Sequence, residues 1–315
     1  MKRKNLLSIA DLSAKEIVEI LTLALELKKE YKQTQKLPEL LKNKSLIMIF
    51  EKPSLRTRLS FEIGMTKLGG HAVFFGPNDI GMGMRESVAD TAMVASSMGE
   101  IIMARTFKHQ AVRVLARFSK VPVINALSDM EHPCQTLADF LTILENKGTY
   151  KNLTIAFVGD GENNVTHSLC LGAALLGVTF VCASPKQYYM NKKIVTQAKK
   201  LAQKTGATIS ETDDPASGVK HADVVYTDTW ISMGDEAEKE KRLKVFTPYQ
   251  VTGKLMKQAK KDAIFMHDLP AYRANEVTAE VIDGEQSVVF HQAENRMWAQ
   301  MALILFLLHI SKPTS

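Results

Sequence analysis

The sequence predicts an α/β protein of two domains, each a parallel sheet flanked by helices. Three observations carry that prediction. Short apolar runs alternate with helical patterns along the chain. The alternation breaks at Lys147-Gly148-Thr149 and then restarts. At roughly 150 residues per domain, a chain of 315 residues has length for two such units.

The elements follow in order. Ser13-Ala14-Lys15-Glu16 fits a capping box, and Ile17, Ile20, Leu21, Ala24 and Leu27 recur at helical spacing behind it. Strands are expected at 46–50, 72–75, 100–104 and 121–125. Helices are expected at 54–68, from Ser87, up to Phe118, and from Pro133 to about Asn146. Beyond the break, strands are expected at 154–158, 178–183, 208–210, 224–227 and 264–266. Helices lie between them, including one at 191–204, and Asp214-Pro215 reads as a cap followed by a first-turn proline. A last helix is expected at about 292–310.

Composition excludes several classes. With 45% hydrophobic and 23% charged residues, wholesale disorder, collagen and a long coiled coil are ruled out. The net charge of +6 suits small anionic substrates and does not demand nucleic acid. Cys134, Cys170 and Cys182 show no CxxC spacing, so neither a zinc knuckle nor a disulfide framework is indicated. Asp11, Lys15 and Glu16 interrupt the apolar residues after the basic start, which reads as no secretion signal. The longest apolar run, 301–308, is short of the ~18 residues of a membrane span. A cytoplasmic protein without a membrane partner is the expectation.

In parallel α/β folds ligands bind beyond the carboxyl ends of strands, so the residues at those ends are the candidates for function. Ser54-Leu55-Arg56-Thr57-Arg58 opens a helix after the first strand. A helix start favours anions, and arginine grips phosphate oxygens in pairs. A capped helix with surface arginines accounts for the same residues equally well. Arg105 ends the third strand, and His132-Pro133-Cys134-Gln135 opens a helix after the fourth. This His and Gln suit a carbonyl group, or a buried structural role. Gly159-Asp160-Gly161-Glu162-Asn163-Asn164 has a dinucleotide-like turn but lacks the third glycine, and the acid expected about 20 residues on is missing. Two asparagines there suit a zwitterion instead. Asp228, the turn Ser232-Met233-Gly234, His267-Asp268-Leu269-Pro270 and Glu294-Asn295-Arg296 complete the set.

Taken together, the motifs Ser54–Arg58, His132–Gln135, Asp228 with Ser232-Met233-Gly234, and His267–Pro270 resemble, in this order, the aspartate/ornithine carbamoyltransferase superfamily. The similarity covers nearly the whole chain, and the Ser-Met-Gly turn points to the ornithine branch. The resemblance implies transfer of a carbamoyl group from carbamoyl phosphate to the side-chain amine of L-ornithine, giving citrulline and phosphate, within arginine metabolism. It implies no metal and no organic cofactor. It implies a carbamoyl-phosphate domain over 1–147 joined by the last helix (292–315), and an ornithine domain over 148–291. A homotrimer or a multiple of trimers, with sites at subunit interfaces, is implied as well. Nucleic acid is not an expected partner.

By position, the resemblance assigns Ser54, Leu55, Arg56, Thr57, Arg105, His132, Gln135, Leu269 and Arg296 to carbamoyl phosphate. It assigns Asn164, Asp228, Ser232, Met233 and Asp268 to ornithine, with Arg56, Arg105, His132 and Asp268 catalytic. Three departures stand out. Leu55 replaces the usual threonine, so only a backbone contact is retained there. Asp268 replaces the usual cysteine, and Gly81 stands where the intersubunit loop usually carries Gln or His. The alternatives are a carbamoyltransferase for another amine, such as putrescine or an acylated ornithine, and a non-catalytic carbamoyl-phosphate-binding regulator.

Overall fold

The computed structural model describes residues 4–231 and 236–311. The chain forms two compact units, Met1–Leu141 with Glu294–Ser315, and Thr142–Ala293. Each is an α/β unit built on one parallel sheet.

The first unit begins with α1 (Ala14–Thr34). Ser13 accepts the Glu16 N–H and Glu16 accepts back from Ser13, so the capping box forms. Ile17, Ile20, Leu21, Ala24 and Leu27 are buried along one face. Each such aliphatic side chain contributes roughly 1.5–3 kcal/mol by leaving water. The sheet contains β1 (Ser45–Phe50), β2 (His71–Phe75), β3 (Ile101–Arg105) and β4 (Val123–Leu127), in the order β2-β1-β3-β4. Between them run α2 (Leu55–Lys67), α3 (Val88–Met98) and α4 (His109–Phe118), and α5 (Pro133–Lys147) follows β4. Expected at 121–125, β4 instead starts at Val123. Pro122 has no N–H and contributes only its carbonyl, to Ile102. Its far end extends to Leu127, whose carbonyl accepts the Thr106 N–H at 2.9 Å.

The second unit has the order β7-β6-β5-β8-β9. Its strands are β5 (Thr154–Val158), β6 (Thr179–Ala183), β7 (Ile209–Thr212), β8 (Val224–Tyr226) and β9 (Ile264–Met266). Helices α6 (Asn164–Leu176), α7 (Lys192–Thr205), α8 (Pro215–Val219), α9 (Lys239–Phe246), α10 (Gly253–Met256) and α11 (Ala279–Ile282) connect them. Almost every residue of α6 is buried, as expected of a helix with no solvent face. The last helix, α12 (Val289–Leu307), starts three residues before the expected 292, because Val288 accepts the Gln292 N–H.

Strand order locates the crevices. In the first sheet the winding reverses between β1 and β3. In the second it reverses between β5 and β8. At such a reversal the two connections leave in opposite directions and open a gap at the carboxyl ends. Phe50 pairs with Arg105 across the first reversal, so Ser54–Thr57 and Arg105 emerge side by side. The second reversal brings together the turn after Val158 and the loop after Tyr226. Gly161 lets that turn close: a Cβ there would lie 2.5 Å from the Tyr188 carbonyl oxygen.

Candidate active site

Seven of the sequence-predicted residues gather in the first unit. Ser54 caps α2, its Oγ accepting the Thr57 N–H at 3.3 Å. Thr57 is fully buried, and its hydroxyl accepts from Arg296 Nη2 at 2.7 Å. This bond ties the last helix to the start of α2. Arg105, His132, Gln135 and Arg296 are buried. Gln135 is oriented by donating Nε2 to Asp139 at 2.8 Å. Among the described residues, the buried Arg56 Nε and Gln135 Oε1 have no hydrogen-bond partner. Leaving such groups unmatched is costly, so these atoms fit a bound polar ligand. Leu55 is 69% exposed. Its side chain is thus directed to solvent, and only its backbone belongs to the helix start.

The electrostatics here are cationic. Burial holds the His132 imidazole well below its ordinary pKa, and the charges of Arg296, Arg105 and Arg56 push it further down. A protonated His132 would add a buried positive charge beside three others. The ring is therefore neutral, with one N–H to donate. The arrangement suits a dianion held by guanidinium groups, with a neutral donor and an amide beside them. Cys134 is not a nucleophile: burial pushes its thiol up to about 12, and Sγ faces the Asn125 carbonyl.

The second unit carries a different site at β5/β8. Asp228 is buried, and both of its oxygens accept N–H groups: Oδ1 from Thr229 and Oδ2 from Asn163 Nδ2, each at 2.6 Å. Asn163 also caps α6 through Oδ1. The residue bonded to Asp228 is thus Asn163, the first of the two asparagines of that turn, rather than Asn164. Asn164 is the first residue of α6. Ser232 and Met233 lie outside the described residues.

Asp268 follows β9, with its side chain 11% exposed. Leu269 comes next, at a left-handed φ of 60°, and donates its N–H to His267 Nδ1 at 2.9 Å. That bond makes Nδ1 an acceptor. The ring hydrogen therefore sits on Nε2, 3.2 Å from Glu276 Oε1. One ligand-type atom each from Asp228, His267 and Asp268 lies within 4.8 Å of the others. Both nitrogens of His267 are already engaged, so the cluster reads as two carboxyl groups beside an occupied ring. Behind it, Arg242 from α9 pairs with Asp160 at 2.9 Å and also donates to the Trp230 carbonyl. Arg242 thereby braces the two turns that flank the site. Neither Arg242 nor Asp160 was singled out from sequence, because a buried ion pair between distant segments leaves no local pattern.

Known proteins are similar to nearly the whole chain. Residues 4–145 match the carbamoyl-P binding domain of the aspartate/ornithine carbamoyltransferase family, and residues 151–307 match its Asp/Orn binding domain. The chain belongs to that family. Within it, the sequence is 50% identical over 308 residues to an ornithine carbamoyltransferase of Anoxybacillus flavithermus, covering 98% of each chain. It is 52% identical to one from Archaeoglobus fulgidus, covering 97% of each. The solved ornithine carbamoyltransferase of Pyrococcus furiosus is similar at a TM-score of 0.94 and 47% identity, covering 98% of both chains.

His132 yields a direct test. In spectra of isotope-labelled histidine, its ring is expected to stay neutral as pH falls through the ordinary value of ~6.5. The folded ring refuses a proton that the unfolded ring takes. Acidification below ~6.5 therefore destabilises the fold through this group. A His132 signal that titrates at the ordinary value would contradict the arginine cluster described above.

Proposed function

We propose that this protein transfers the carbamoyl group of carbamoyl phosphate to the side-chain amine of L-ornithine, giving L-citrulline and phosphate. The observation that carries this reading is the neutral His132 ringed by Arg56, Arg105 and Arg296 at the β1/β3 reversal. Three guanidinium groups match the charge of a phosphate, and a neutral donor matches a carbonyl. Relatives about half identical over nearly the full length, all named ornithine carbamoyltransferase, support the choice of amine.

The chemistry explains the residue types. The amine nitrogen attacks the carbamoyl carbon, negative charge grows on the carbonyl oxygen, and phosphate leaves with the bonding electrons. Arg56, Arg105 and Arg296, with Ser54, Thr57 and the α2 start at Leu55, hold the phosphate. His132 and Gln135 hold the carbamoyl group, with the Leu269 backbone. Donors fixed in place before the reaction need no reorganisation as charge develops. Asp228, Asn164, Ser232 and Met233 hold ornithine, Asn163 orients Asp228, and Asp268 faces the reacting amine. The first unit with its returning last helix thus handles carbamoyl phosphate and the second handles the amino acid. Holding both substrates oriented replaces a bimolecular encounter.

The setting is cytoplasmic arginine metabolism, and the assembly is a trimer or a multiple of trimers. Among the described residues no helix is long and apolar enough to cross a membrane. Leu55, Leu59 and Ile63 form an exposed apolar stripe along α2, at the one-turn spacing of a buried contact. Light scattering is expected to return three subunits or a multiple, and a monomer in solution would contradict the assembly.

Two assays test the activity. Citrulline formation with ornithine should far exceed carbamoylation of putrescine or an acylated ornithine. A reversed preference would sink the ornithine reading and leave the carbamoyltransferase. Arg56→Ala should lower kcat/KM roughly a hundred- to a thousand-fold, the usual loss for one preorganised donor, with the melting temperature little changed. Near-normal turnover would remove Arg56 from the machinery.

A further inference from the structure

Two carboxyl groups that meet in a buried site need an account of their protons. Asp228, after β8, and Asp268, after β9, each bring a carboxyl oxygen within 4.8 Å of the other. Two carboxylates this close and this little exposed repel one another, which favours one proton on the pair. The surrounding donors locate it. Both oxygens of Asp228 already accept N–H groups, from Thr229 and from Asn163. Those bonds favour the ionised form of Asp228 and leave the hydrogen on Asp268.

The groups facing the pair leave the proton in place. On the β9 side is His267, whose Nδ1 is 3.6 Å from Asp268 Oδ1. That nitrogen accepts the Leu269 N–H, so it offers Asp268 no hydrogen. Behind the ring is Glu276, a third acid. Among the described residues, the α6 side brings the neutral Asn163 amide. Burial, followed by the charge of Asp268, raises the hold of Asp228 on a proton well above that of an ordinary aspartate, against an opposing contribution from His267. That raised affinity belongs to the pair.

We propose that Asp228 and Asp268 act as one base that holds a single proton in the free enzyme, and that binding the ornithine side-chain ammonium expels one proton to solvent. The inference rests on the ornithine reading above. Free ornithine arrives as R–NH3+, and the pair carries one proton and one negative charge. After one proton leaves, the complex interconverts between an ammonium beside two carboxylates and a neutral amine beside Asp268 in its acid form. In the second form an N–H bond has broken and an O–H bond has formed, so the nitrogen lone pair is free. Attack then forms the N–C bond and breaks the C–O bond to phosphate. A second amine hydrogen leaves with the phosphate as hydrogen phosphate. The pair is left with its one proton, as it began.

Two acids serve better than one for a simple reason. A lone carboxylate near pKa ~4 is too weak a base to take a proton from an ammonium near ~10. A second negative charge beside it narrows that gap. This chain has placed its second carboxyl where the superfamily usually has a thiol.

The test has a substrate-free arm and a substrate arm. Infrared spectra at neutral pH, with carbon-13 label in aspartate, should show the C=O stretch of a protonated carboxylic acid in the wild type. Asp268→Asn and Asp268→Cys should both lose it. An absent band, or one that persists in both folded variants, overturns the pair. Ornithine is then titrated calorimetrically into enzyme saturated with phosphonoacetamide, in buffers of different ionisation enthalpy. The wild type should release about one proton per ornithine bound and Asp268→Asn about none. Wild type that forms citrulline yet releases no proton overturns this inference and spares the activity. Wild type that forms no citrulline overturns the activity, and the infrared band then decides the pair on its own.

Discussion

Parallel pairing of β1 with β3, and of β5 with β8, is the constraint on which the rest of the structure depends. A parallel neighbour is reached only by a crossover, here mostly helical, so each connection must pass over one face of the sheet. Where consecutive connections depart to opposite sides, nothing covers the strand ends between them. Both units leave such a gap, and both place their polar side chains there. The helix after β1 starts in one gap with its N–H groups facing outward. The cap of α6 starts in the other, with Asn163 reaching Asp228.

The two gaps differ in sign. Around His132 the charges are guanidinium groups, and burial keeps the imidazole neutral among them. Around Asp228 the charges are carboxyls, and burial with the neighbouring Asp268 raises the Asp228 carboxyl well above its ordinary range. In each case low solvent access magnifies one sign of charge and suppresses the further ionisation that would add to it. A phosphate and an ammonium are the natural occupants of such a pair of sites. The bracing around them is equally specific: Arg296 to Thr57 in the first unit, and Arg242 to Asp160 in the second.

Much of this was legible in the residues. The helical spacing of Ile17 to Leu27, the strand runs and the two rounds of alternation stood out because each is a local pattern. Element ends were less legible. The start of β4 depends on the missing N–H of Pro122, and its end at Leu127 on a partner from the neighbouring strand. The arginine and His-Pro-Cys-Gln motifs were legible as motifs, and by resemblance as a carbamoyl-phosphate set. The bond of Asn163 to Asp228 and the pair of Arg242 with Asp160 were not, since the partners lie far apart in sequence.

The sequence by itself determined the α/β class, the two rounds of winding, the absence of a disulfide framework and the residue types at the strand ends. These follow from periodicity and composition, which act over a few neighbouring residues. Only the tertiary structure decided which of those residues meet. It decided that His132 stays neutral among three arginines, and that Leu55 faces solvent. It also decided that Asp268 sits against Asp228, a second acid rather than a cation. The reason is physical: protonation depends on burial and on charges brought close in space, and neither can be read from distance along the chain.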